Sequence, residues 1–169
     1  MIRLEPVLEF DDFTFLHLSG DLSPTDLNAF LRRWAEYNQG DELSDLLHTE
    51  DDMTLLPGGV RATRPSGAAV TPGCCCGLDE WRSWISLLDR EPIWMGHDPG
   101  VVQKFVGDKV HLSQEGGELT LKLPLRDIPT LVAQVRTDLL GLLGLVEAHA
   151  GPEYAAILDR DLTITDPLP

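Results

Sequence analysis

Three consecutive cysteines, Cys74-Cys75-Cys76, hold all the thiols of the chain. They lie between the turn Thr71-Pro72-Gly73 and the run Gly77-Leu78-Asp79-Glu80-Trp81. Thiols can ligate a soft metal, attack as thiolates or change oxidation state. A structural zinc site takes four ligands, usually from two separated pairs. In extended backbone, alternate side chains share a face, so Cys74 and Cys76 are expected to converge and Cys75 to point away. His17, His48, His97, His111 and His149 are the available imidazoles, none at a diagnostic spacing. A thiol just before a helix gains from the positive end of the dipole, but Asp79 and Glu80 in the first turn oppose a thiolate. His97-Asp98 supplies a base and an orienting carboxylate in principle. A disulfide between adjacent cysteines is strained. Cysteine is also small, apolar and often buried. The segment is therefore expected to be mainly a packing feature, with no catalytic residue and no cofactor assigned. The alternative is a zinc or reactive-thiol site built from Cys74, Cys75, Cys76 and His97.

The second candidate is electrostatic. The chain of 169 residues carries a net charge of −15. Residues 1–60 contain thirteen acids against three arginines, a net of −10. Phosphate backbones and anionic membrane surfaces are bound through Lys and Arg, so nucleic acid and membrane are not expected partners. A basic protein partner is favoured, and Asp41, Glu42, Asp45, Glu50, Asp51 and Asp52 are the expected contacts. A merely solvated face is the plainer reading of the same run. Asp11-Asp12 and Glu50-Asp51-Asp52 lack the loop spacing of a calcium site.

Several elements must position these groups. Met1–Phe10 and Phe13–Leu18 read as strands. Ser23, Pro24 and Asp26 open a helix whose apolar face is Leu27, Phe30, Leu31 and Trp34, with Gly40 as its expected end. Residues 41–56 are ambiguous between a helical turn and a strand. Pro57-Gly58-Gly59 reads as a turn before a short strand, Val60–Thr63, and residues 64–73 read as a loop. Leu78–Asp89 reads as a helix with Leu78, Trp81, Trp84 or Ile85, and Leu88 inward, and Trp94–Gly100 as a turn-rich loop. Val101–Val106, Lys109–Ser113 and Glu118–Leu123 read as strands joined by Gly107-Asp108 and Gly116-Gly117. Ile128, Val132, Val135, Leu139, Leu142 and Val146 are spaced 4-3-4-3-4 on a helix over residues 128–150. That seam is expected to pack within the chain, with a homodimer as the sharper alternative. Glu153–Asp159 reads as a short terminal helix.

The expected fold is α+β: one domain over residues 1–169, with a mostly antiparallel sheet packed by the long C-terminal helix and two further amphipathic helices. No secretory leader or membrane-length apolar run is evident, and three adjacent cysteines cannot form a disulfide framework. A cytoplasmic protein with free thiols is expected.

The block Pro72-Gly73-Cys74-Cys75-Cys76-Gly77-Leu78-Asp79-Glu80-Trp81, followed by Trp94-Met95-Gly96-His97-Asp98-Pro99, resembles a pattern in small acidic bacterial proteins of unassigned function. The resemblance spans about residues 57–150 and implies no catalytic residue. In size, acidity and mixed make-up the chain is also similar to immunity proteins that neutralise secreted bacterial toxins. That likeness implies an acidic, non-enzymatic binding protein with a basic partner. A thiol- or zinc-dependent protein and a structural or oligomeric component are the alternatives.

Overall fold

A computed structural model describes residues 1–49 and 52–169. The fold is α+β, with two antiparallel sheets. The first is built on β1 (Arg3–Glu9), in the order β2-β1-β3-β4, with β2 (Phe15–His17), β3 (Gly58–Thr63) and β4 (Ala69–Val70). Val7 pairs with His17 on one side and Gly59 on the other. β2 is shorter than its sequence suggests. Asp12 accepts hydrogen bonds from the Thr14 N–H (3.1 Å) and hydroxyl (2.6 Å) and closes a tight turn. Phe13, at φ 61°, is thereby turned out to solvent rather than paired.

Gly58 and Gly59 are strand residues, not a turn. They reach φ of +136° and +142°, and a Cβ on Gly58 would lie 2.0 Å from the Val7 carbonyl oxygen. The lack of a side chain lets β3 close on β1 at this point. The loop expected over residues 64–73 contains the two-residue strand β4. The second sheet is the meander β5 (Val101–Val106), β6 (Lys109–Gln114) and β7 (Thr120–Pro124). Leu121 and Leu123 point inward and Lys122 outward, the alternation its sequence carries.

Helix α1 (Pro24–Tyr37) begins as expected, the Ser23 hydroxyl accepting from the Asp26 N–H at 3.1 Å. It ends at Asn38, and Gln39 rather than Gly40 takes the left-handed conformation. Gly40 N–H returns to the Ala35 carbonyl, and the Asn38 amide bonds both Trp34 and Leu55 carbonyls. These bonds hold a non-glycine residue at the αL position after the helix. The ambiguous stretch after it forms a 3₁₀ helix, Leu43–His48.

Leu78–Asp89 is also a 3₁₀ helix, not an α-helix. Its inward residues are Leu78, Trp81, Trp84 and Leu87, spaced by three, while Leu88 is exposed. Three residues per turn put these four side chains in one row.

Helix α2 (Ile128–His149) buries all six seam residues against β1, the 3₁₀ helix Leu78–Asp89 and α3 (Pro152–Leu162). The heptad seam is filled by the chain itself. Gly20 and Gly141 meet backbone to backbone, since a Cβ on Gly141 would lie 2.6 Å from the Gly20 nitrogen. Among the described residues, every buried side-chain nitrogen and oxygen has a hydrogen-bond partner. Trp34 Nε1–H donates to Thr54 Oγ1 (2.9 Å), and Thr54 donates its N–H and hydroxyl to Asp161, which also receives Arg160. Buried apolar residues from Leu4 to Ile164 form one cluster. Among the described residues, no helix is long and apolar enough to cross a membrane.

Candidate functional site

The three cysteines are pinned from both sides. Gly73 N–H donates to the Met95 carbonyl (2.7 Å) and His97 N–H to the Cys74 carbonyl (3.0 Å), so residues 73–74 pair with residues 95–97. The approach needs glycine. A Cβ on Gly73 would lie 2.5 Å from the His97 and Pro99 carbonyl oxygens, and one on Gly96, at φ +79°, 2.4 Å from the Gly73 oxygen. On the other side Gly58 N–H donates to the Cys76 carbonyl and Leu78 N–H to the Leu56 carbonyl. Between the pins Cys75 takes φ 63°.

That left-handed residue overturns the expected pairing. An extended strand would have brought Cys74 and Cys76 together. Instead Cys74 and Cys75 share the outer surface, with their sulfurs 3.7 Å apart. Cys76 is buried, with its Sγ where a side chain on Gly59 would have to go. The packing role expected for the whole segment belongs to Cys76 alone.

His97 joins the outer pair, its Nδ1 lying 3.4 Å from Cys74 Sγ and 3.1 Å from the Cys74 carbonyl oxygen. Cys74 Sγ, Cys75 Sγ and a ring nitrogen of His97 all lie within 4.8 Å of one another. Trp94 leans over them, donating Nε1–H to the Cys75 carbonyl (3.2 Å) with its ring 5.8 Å from the imidazole. Beside Cys74 runs a groove of about 390 Å³ lined by Glu9, Phe13, Phe15, Pro72 and Asp98, among others.

The local field is negative. The Cys74 thiol is held above its ordinary pKa by its hydrogen bond with Cys75, then by partial desolvation and the charges of Cys75, Asp98 and Glu9. Burial pushes the Cys76 thiol up to about 12, assisted by Glu80 and Asp79. Burial also raises Glu9, against the pull of Arg33. An activated nucleophile needs the opposite, a lowered thiol beside an oriented base. Among the described residues, no carboxylate bonds the His97 ring, so Asp98 does not act as its orienter.

The acidic candidates fall elsewhere. Asp41, Glu42, Asp45 and Asp52 are exposed and, among the described residues, make no ion pair. Glu50 and Asp51 lie outside the described residues. Asp45 also shapes the backbone. Its carboxylate receives the N–H groups of Asp41 (2.8 Å) and Glu42 (3.0 Å) at the start of the 3₁₀ helix Leu43–His48. The end of α1, this 3₁₀ helix and residues 52–55 are tied together. Asn38 bonds both the N–H and the carbonyl of Leu55, and Arg160 holds the carbonyls of Thr49 and Asp52. Four large apolar side chains of this region, Tyr37, Leu47, Met53 and Leu55, are exposed. Sequence patterns do not single them out, because an exposed and a buried leucine look alike there. Phe13 and Trp94 are likewise not legible as neighbours of the thiols. Their position in turn-rich segments is the one available signal.

Compared with protein-family models, curated proteins and solved structures, the chain matches none.

Proposed function

We propose that this is an acidic, non-enzymatic binding protein that docks a basic protein at the end formed by α1, the 3₁₀ helix Leu43–His48 and residues 52–55. One observation carries the reading: Asp41, Glu42 and Asp52, without ion-pair partners among the described residues, stand beside exposed Tyr37, Leu47, Met53 and Leu55. Apolar side chains supply the affinity of an interface when desolvated, and the surrounding charges supply steering and register. The negative C-terminal end of α1, which has no basic residue in its last turn, adds to the same field. A partner that normally binds phosphate backbones has the matching positive surface. The likeness to immunity proteins suggests a basic bacterial toxin in that role.

The test is capture of partners from the native host, followed by association kinetics with the protein identified. The expected result is a basic partner whose association slows by about tenfold or more when Asp41, Glu42 and Asp52 are changed to lysine, with Asp45 kept for its backbone bonds. Leu55→Ala should mainly speed dissociation. A partner bound equally well by the charge-reversed protein would overturn the docking surface proposed.

A further inference from the structure

The geometry points to a binding site for one thiophilic divalent cation of the zinc class, held by Cys74 Sγ, Cys75 Sγ and His97 Nδ1 with a fourth position open to solvent. It stands independently of the acidic docking surface.

Distances carry the inference. Bond lengths of about 2.3 Å to sulfur and 2.0–2.1 Å to nitrogen, at tetrahedral angles, require edges of roughly 3.75 Å between two sulfurs and roughly 3.5 Å between sulfur and nitrogen. The Cys74–Cys75 sulfurs stand 3.7 Å apart and Cys74 Sγ lies 3.4 Å from His97 Nδ1. A ring nitrogen of His97 lies within 4.8 Å of both sulfurs, and rotation of the imidazole brings it onto the third edge.

The backbone already holds them together. Cys75 is kept in the left-handed region between two sets of interstrand bonds, and Gly73 and Gly96 allow the two segments to touch. Without that conformation the two adjacent side chains would diverge. Charge agrees with geometry. Glu9 and Asp98 act on Cys74 with negative charge. A bound divalent cation is favoured by the negative charge gathered around Cys74. Ligation through Nδ1 places the imidazole proton on Nε2. It exchanges the contact of Nδ1 with the Cys74 carbonyl for a bond to the metal.

Two thiolates and one imidazole suit zinc and its spectroscopic substitute cobalt rather than magnesium or calcium. Three protein ligands leave one position for water or an incoming donor. Cys76 is buried away from this set and takes no part.

Cobalt(II) alone is the probe, titrated into reduced full-length protein without oxygen. The expected result is one cobalt per chain, with sulfur-to-cobalt charge-transfer absorption in the near ultraviolet and the visible bands of a four-coordinate ion. Zinc should abolish both and should protect two of the three thiols from alkylation. Cys75→Ser and His97→Ala should each weaken binding by about tenfold or more. Cys76→Ser should leave the spectrum unchanged. Circular dichroism identifies any variant that fails to fold, and the alkylation pattern of the unmodified protein gives an answer without variants. Absence of the charge-transfer band, or an equal band in folded Cys74→Ser/Cys75→Ser protein, would overturn the site.

Discussion

Cys75 decides what the cysteine run becomes. One left-handed residue turns three equivalent thiols into an outer pair and one buried sulfur. The sequence indicates that a thiol here is opposed by Asp79 and Glu80, and that opposition acts on Cys76, where burial is the larger cause. It does not indicate which two sulfurs meet. Pairing by alternate positions presumes an extended backbone, and a positive φ at a non-glycine residue is set by the bonds on either side. A direct consequence concerns reactivity. Alkylation of the metal-free native protein should label Cys74 and Cys75 and spare Cys76, with the third label appearing on denaturation. Peptide mapping by mass spectrometry checks this, and prompt native labelling of Cys76 would contradict its placement.

At the scale of elements, the segment Leu78–Asp89 shows how far periodicity reaches. Apolar residues at 78, 81, 84 and 87 fit three residues per turn, while 78, 81, 85 and 88 fit a longer pitch, and the sequence contains both sets. Tertiary bonds select the first. Leu78 N–H is held by the Leu56 carbonyl, Trp81 Nε1–H donates to the Leu162 carbonyl at 2.9 Å, and Arg82 grips the carbonyls of Thr163, Asp166 and Pro167. The two pitches make opposite predictions at neighbouring leucines. Leu87→Ala should destabilise by about 2–5 kcal/mol, because a fully buried side chain leaves a cavity. Leu88→Ala, on the exposed side, should stay within about 0.5 kcal/mol. Urea unfolding of the two variants measures both; a larger loss at Leu88 would restore the α-helical register. By contrast, α2 is legible throughout, because its 4-3-4-3-4 seam has one helical reading and every member of it is buried.

For the whole molecule, charge is the dominant property. The chain has 28 acids against 13 bases. Much of the excess sits on exposed side chains in the first 60 residues, with no neutralising ion pair at Asp41, Glu42, Asp45 or Asp52 among the described residues. Self-repulsion of this kind weakens a compact state and is screened by salt. The midpoint of thermal unfolding should therefore rise as sodium chloride is raised from about 10 mM to about 150 mM, where the screening length shortens from roughly 30 Å to roughly 8 Å. A scanning calorimeter reads this directly, and a midpoint that fell over that range would show that attractive pairs, not repulsion, dominate the surface. The same field would speed association with a basic partner, so low salt should favour both binding and loss of stability.

By itself the sequence determined the charge, the α+β class, the start of α1, the second sheet and the seam of α2. Each follows from local rules: a cap, a turn residue, a period of two or of seven. The tertiary structure alone decided which end of the molecule carries exposed apolar groups beside exposed acids. It also decided that Gly58 and Gly59 belong to a strand, and that His97 reaches the outer thiols from 23 positions away. These depend on which distant backbones touch. The contacts made by Gly58 with Val7, and by Gly73 and Gly96 with the opposing segment, leave no periodic trace in the chain.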